Sequence, residues 1–104
     1  MKRIALKMKL LKGYEDEYKK RHDEIWDELE VLLKQTGITG YSIFLDEETN
    51  DLFAYFHIED ETQLNHLPQQ VIMKRWWNYM ADIMETNADN SPVSIPLKEV
   101  FYLK

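Results

Sequence analysis

The sequence contains no cysteine, which excludes disulfide frameworks, thiol nucleophiles and cysteine-based zinc sites. Only three glycines occur, and neither a glycine-rich phosphate loop nor a nucleophile-elbow serine is present. No apolar run approaches the roughly 18 residues that a membrane-spanning helix needs. The basic N-terminus also lacks the unbroken apolar core of a signal peptide. We therefore expect a cytoplasmic protein that has no membrane partner.

The composition is that of a small globular domain, and the length of 104 residues favours one domain over residues 1–104. Apolar residues make up 44% of the chain and charged residues 31%, enough for a core and a soluble surface. The 13 Lys and Arg residues against 19 Asp and Glu residues give a net charge of −6, which repels phosphate backbones. Nucleic acid is therefore not expected as a partner, and a neutral or cationic ligand fits better.

Apolar periodicity predicts six elements in the order β-α-β-β-α-β. Helices are predicted over 14–35, before Gly37, and over 69–84. The predicted strands cover residues 3–10, 38–45, 52–58 and 97–103. This order is that of the ferredoxin-like α+β fold, in which two helices cover one face of a four-stranded antiparallel sheet.

The opposite face of such a sheet has no helix to cover it. We expect the alternation of the second strand to turn Tyr41 and Ile43 toward the helices. The open face would then present apolar side chains at Phe44, Ala54 and Phe56. A second copy of the chain would bury them, so the pattern predicts a homodimer that associates through sheet faces.

His22 is the first candidate for chemistry. It lies four residues after Tyr18 and three before Ile25, on the apolar line of the first predicted helix. A single histidine in such a position is more often a hydrogen-bonded core residue than a catalytic one. The neighbouring Tyr18 favours a cavity lined with hydrogen-bonding groups. No carboxylate lies three or four residues from His22, so any orienting partner must come from elsewhere.

Three further aromatic residues are candidates for binding. Trp76 and Trp77 are consecutive, so their indoles point about 100° apart on a helix. Core or interface packing is their commoner role, and the functional alternative is an aromatic wall against the C–H face of a sugar. Tyr41 is expected to point its hydroxyl toward Tyr18 and His22, although a half-buried strand tyrosine without a function is an even alternative.

The sequence predicts no metal site. His57 and His66 match no metal-ligand spacing with His22. The run Arg-His-Asp-Glu at 21–24 is also not the His-Glu-x-x-His zinc motif.

Three motifs occur together in this chain: Tyr-x-x-x-His at 18–22, Arg-Trp-Trp at 75–77 and Asp-Asn-Ser-Pro at 89–92. With them, nearly the whole sequence resembles the L-rhamnose mutarotase family. The resemblance implies a dimeric ferredoxin-like α/β barrel that interconverts the α and β anomers of L-rhamnose, a neutral monosaccharide, without a cofactor. It also implies that His22 is the proton donor. The sugar-binding residues that it implies are Tyr18, Tyr41, Trp76 and Trp77.

The chemistry of mutarotation agrees with these residues, because one group that exchanges protons near neutral pH is the minimum requirement, and an unperturbed imidazole has a pKa of about 6.5. Two alternatives stay open. A cofactor-free monooxygenase of the same dimeric barrel class would also use histidine and tryptophan in an aromatic pocket. A non-catalytic module would bind sugar without accelerating anomer exchange. An RNA-binding version of the fold is disfavoured by the acidic balance and by the absence of the aromatic RNP signature.

Overall fold

The computed structural model describes residues 1–104 as a four-stranded sheet with helices packed on one face. The strands are β1 (Lys2–Lys9), β2 (Ile38–Asp46), β3 (Asp51–Ile58) and β4 (Ile95–Pro96). The helices are α1 (Glu15–Asp23), α2 (Asp27–Gln35), a 3₁₀ helix (Glu61–Gln69) and α3 (Val71–Met80). All strand pairs are antiparallel and the spatial order is β2-β3-β1-β4. The predicted α+β class and the ferredoxin-like strand order are confirmed.

The side chains of β3 that face the helices are not the predicted ones. Ala54 and Phe56 were expected on the open face, but they are only 0% and 4% exposed and lie beneath the helices. The reason is the register of the β2–β3 hairpin, which places Ile43 opposite Ala54 on the helix side. A shift of one residue would exchange the two faces of the strand, so this register decides which side chains of β3 face the helices. Phe44 lies on the open face as expected and is 65% exposed.

The first predicted helix, 14–35, is two helices. α1 ends at Asp23, and Trp26 has an extended backbone with φ −64° and ψ 135°. The acidic start of α2 favours a new helix N-terminus there, because carboxylates stabilise the exposed N–H groups of a first turn. The break directs Trp26 toward α3, where it packs edge-on against Trp76 at 5.1 Å between ring centroids.

The predicted closing strand over 97–103 does not form. β4 pairs only Ile95 and Pro96 with β1, and Pro96 has no N–H to extend the ladder. The Leu97 N–H still donates to the Ala5 carbonyl oxygen at 2.9 Å, and beyond Leu97 the chain is attached to β1 through side chains. Arg3 bonds both carboxylate oxygens of Glu99 at 2.8 Å, and its guanidinium lies 3.5 Å from the centre of the Tyr102 ring.

The second predicted helix, 69–84, is also shorter than expected, since α3 ends at Met80 and gives way to a turn. The larger core cluster lies between these helices and the sheet. Its buried members are Leu10, Tyr18, Leu29, Leu52, Met73, Trp76, Met80, Ile83 and Met84. Two candidate site residues, Tyr18 and Trp76, are therefore held by the core itself. None of the helices has the length and apolar character required to cross a membrane.

Candidate functional site

Tyr18 and His22 lie one turn apart on α1, and their rings stack at 4.2 Å with 30° between the planes. His22 Nδ1 lies 3.0 Å from the backbone carbonyl oxygen of Tyr18. A carbonyl only accepts hydrogen bonds, so Nδ1 carries the proton and donates it. In the neutral ring Nε2 is then the basic nitrogen. The orienting partner of His22 is therefore a main-chain group of its own helix.

Burial sets the protonation of both side chains. Burial lowers the pKa of His22 below its ordinary value of 6.5, while the Tyr18 carbonyl and the Asp23 carboxylate oppose this shift. Burial also raises the pKa of Tyr18, and ionisation of Tyr41 would add to that effect. At neutral pH the imidazole is therefore mostly neutral, and the Tyr18 hydroxyl keeps its proton.

Trp76 also contacts the imidazole of His22. It is a buried residue of α3, and its indole meets the His22 ring edge-on at 5.4 Å and 88°. Trp77 is partly buried and packs against the larger core cluster, but it does not stack on His22. The two consecutive indoles thus point to different surroundings, as helical geometry requires. Of this pair, only Trp76 contacts the histidine.

Tyr41 lies on the helix side of β2, within an irregularity in the β2–β3 pairing between Thr39 and Ser42. Its ring stacks on buried Phe56 at 5.2 Å and 22°. The residue is 42% exposed, yet burial of its hydroxyl raises its pKa. Ionisation of Tyr41 would raise the pKa of Tyr18 further. The structure therefore brings Tyr18, His22 and Trp76 into contact, and it places Tyr41 on the same side of the sheet.

Trp26 and Tyr79 extend this aromatic group, and neither was among the predicted site residues. Trp26 contacts Trp76 at 5.1 Å and Tyr79 at 5.4 Å, and Tyr79 lies 5.7 Å from Trp76. Tyr79 follows Trp76 by three residues, a spacing that would have placed both on one helix face. Trp26 gave no comparable signal, because its position depends on the break between α1 and α2.

His57 is not part of this site. It lies on the open sheet face, where its Nε2 is 2.8 Å from the Tyr55 hydroxyl. The sheet therefore separates it from His22. No three histidine, aspartate or glutamate side chains are grouped to hold a metal ion.

Comparison with known proteins gives consistent results for this chain. A family model described as L-rhamnose mutarotase matches residues 3–103. A curated protein named L-rhamnose mutarotase from Formosa agariphila is 55% identical over 104 residues, covering 100% of both chains. Its namesake from Bacteroides thetaiotaomicron is 56% identical over 103 residues, covering 99% of each. A crystal structure of L-rhamnose mutarotase from Formosa agariphila superposes with a TM-score of 0.93 at 54% identity, covering 100% of both chains.

Proposed function

The chain belongs to the L-rhamnose mutarotase family, and we propose that it uses His22 to interconvert the α and β anomers of L-rhamnose. It is accordingly an isomerase of the racemase and epimerase class. The observation that carries the proposed role of His22 is its geometry. The Tyr18 carbonyl fixes one ring nitrogen, and Tyr18 and Trp76 enclose the ring. This leaves Nε2 as the atom that exchanges a proton with the sugar.

Mutarotation breaks and re-forms one C–O bond. The anomeric hydroxyl loses its proton, the ring oxygen gains one, and the bond between C1 and the ring oxygen breaks to give the open aldehyde. Rotation about the C1–C2 bond and reversal of these steps give the other anomer. In our proposal protonated His22 donates from Nε2 to the ring oxygen, while solvent water accepts the proton of the anomeric hydroxyl. When the ring closes, the neutral imidazole takes its proton back from the former ring oxygen and water returns a proton to the new anomeric hydroxyl, so His22 is regenerated in each cycle.

The lowered pKa of His22 has two opposite effects on this role. It makes the imidazolium a stronger acid toward the weakly basic ring oxygen, and it reduces the fraction of His22 that carries the donated proton at neutral pH. Positioned acid/base catalysis of this kind contributes about 10² to 10⁴-fold in rate.

The remaining candidate residues bind the sugar in this proposal. The pKa values of Tyr18 and Tyr41 are raised, so both hydroxyls keep their protons and form hydrogen bonds with sugar hydroxyls. Trp76 supplies an apolar surface beside His22, and Trp77 shapes the pocket from the next position on α3. A neutral monosaccharide needs no cationic cluster, which agrees with the net charge of −6.

Saturation-transfer proton NMR tests the proposed activity directly. One anomeric proton of equilibrated L-rhamnose is irradiated, and the other is observed with and without the protein. We expect transfer that appears only with protein. If the protein binds the sugar but no transfer occurs, the chain is a sugar-binding module and the proposed activity is wrong.

The open face of the sheet supports a further proposal, that the protein acts as a homodimer. Phe44 on β2 and Phe101 and Leu103 in the C-terminal segment are all strongly exposed. A second copy that covers about 800 Å² of this surface would give an interface of standard size. Light scattering of the wild type and of Phe44→Glu tests the dimer. We expect the variant to dissociate at higher concentration, whereas a wild-type mass of one chain at all concentrations contradicts the proposal.

A further inference from the structure

Arg21 connects α1 to the chain that follows α3. Its Nη1 donates to the Tyr79 carbonyl oxygen and to Asp82 Oδ1, each at 2.8 Å, and Nη2 donates to Asp82 Oδ2 at 3.2 Å. Its Nε donates to Glu17 Oε2, on its own helix, at 2.7 Å. The Arg21 side chain is only 11% exposed although Asp82 is 64% exposed. A planar guanidinium that donates four hydrogen bonds has little freedom to move.

The contact with Tyr79 satisfies the end of α3. The last carbonyls of a helix have no partner inside it, and a cation there also opposes the negative end of the helix dipole. The same guanidinium lies 4.4 Å from the centre of the Tyr79 ring, within range of a cation–π interaction. Tyr79 in turn packs against Trp76. Arg21 therefore fixes both the main chain and an aromatic side chain at this end of α3.

The three candidate site residues that are in contact with one another come from the two helices that Arg21 connects. Tyr18 and His22 belong to α1, whereas Trp76 belongs to α3. The Arg21–Asp82 pair is the one salt bridge between α1 and the α3 end of the chain. We propose that Arg21 is a positioning residue, which holds the His22 ring at its working distance from Trp76 through Asp82 and the Tyr79 carbonyl. This inference rests on the proposed function of the site.

Two substitutions separate positioning from general helix stability. Asp82→Ala removes the partner of Arg21 beyond α3, and the exposure of Asp82 favours correct folding. Glu17→Ala is the matched control, because it removes the partner on the same helix and leaves the connection to α3. The readouts are the anomer exchange rate at saturating L-rhamnose and the NMR shifts of the His22 ring protons. Those shifts report the geometry of the edge-on Trp76 ring.

We expect Asp82→Ala to lower the exchange rate about tenfold or more, since small misplacements of reacting groups cost factors of this size. It should also move the His22 ring signals. Glu17→Ala should change the rate by less than about twofold and leave those signals in place. Equal effects of the two variants, or unchanged His22 signals in Asp82→Ala, overturn the proposal. If wild-type protein shows no exchange, the proposed function fails, and the His22 signals alone then decide whether Arg21 positions the ring.

Discussion

Replacement of Tyr18 by phenylalanine tests the binding role of a single hydroxyl group. The ring that stacks on His22 at 4.2 Å is retained, and so is the carbonyl that orients the imidazole at 3.0 Å. The hydroxyl makes no hydrogen bond within the chain, and no fully buried side-chain polar atom lacks a partner. The hydroxyl is therefore accessible to solvent, and its removal breaks no internal bond.

The expected magnitude follows from this geometry. A hydrogen bond contributes about 1 kcal/mol net, so loss of the Tyr18 bond should raise the KM for L-rhamnose or lower kcat/KM by about fivefold. The free energy of unfolding should change by less than about 0.5 kcal/mol, because the folded protein loses no internal bond. Since burial raises the pKa of Tyr18, the hydroxyl is protonated throughout the neutral range, and the effect should not depend on pH there.

The assay is saturation-transfer NMR over a series of L-rhamnose concentrations, paired with urea unfolding. Tyr14→Phe is a suitable control, because Tyr14 is an exposed tyrosine just before α1. Wild-type kinetics in Tyr18→Phe would refute the binding role. A loss of stability well above about 1 kcal/mol would refute the argument that the hydroxyl has no internal partner.

Two further predictions concern stability. Because folding lowers the pKa of His22, the unfolded chain binds more protons between that pKa and about 6.5, so wild-type stability should fall as pH decreases through this range. Urea unfolding at several pH values should show a smaller fall in His22→Asn, and an equal fall would contradict the buried neutral ring. Ile83→Ala should lower the free energy of unfolding by about 2 to 5 kcal/mol, because Ile83 is fully buried in the larger core cluster. A loss below about 1 kcal/mol in thermal or urea unfolding would show that this site is poorly packed.

The order of the elements could be predicted from the sequence because strand alternation and helical spacing are local signals. The break at Trp26 could not, since Tyr18, Ile25 and Leu29 keep a helical spacing across it. The prediction that Ala54 lies on the open face was wrong for a different reason. It depends on the register between two strands, and a one-residue shift inverts every side chain.

The closing strand was also wrong, although residues 97–103 alternate as a strand does. An alternating segment forms a strand only where its backbone can hydrogen-bond with the edge of a neighbouring strand. The Arg3–Glu99 ion pair and the Arg3–Tyr102 contact hold this segment instead. These contacts join residues that are about a hundred positions apart, so no local pattern could predict them.

In the candidate site, too, local contacts could be predicted from the sequence and tertiary contacts could not. The proximity of Tyr18 and His22 follows from a spacing of four on one helix, and it was predicted. The edge-on contact of His22 with Trp76 and the bonds from Arg21 to Asp82 are tertiary contacts between separate helices. The charge of Arg21 was visible in the sequence, but its partners were not.

The most direct test of the role of His22 is the anomer exchange rate of His22→Ala against wild type, at one pH and with both proteins folded. We expect a loss of about 10² to 10⁴-fold, the usual contribution of a positioned acid/base group. His66→Ala is the matched control, because that histidine is an exposed residue of the 3₁₀ helix, and the variant should exchange anomers at the wild-type rate. Exchange at the wild-type rate by His22→Ala would show that His22 is not the proton donor.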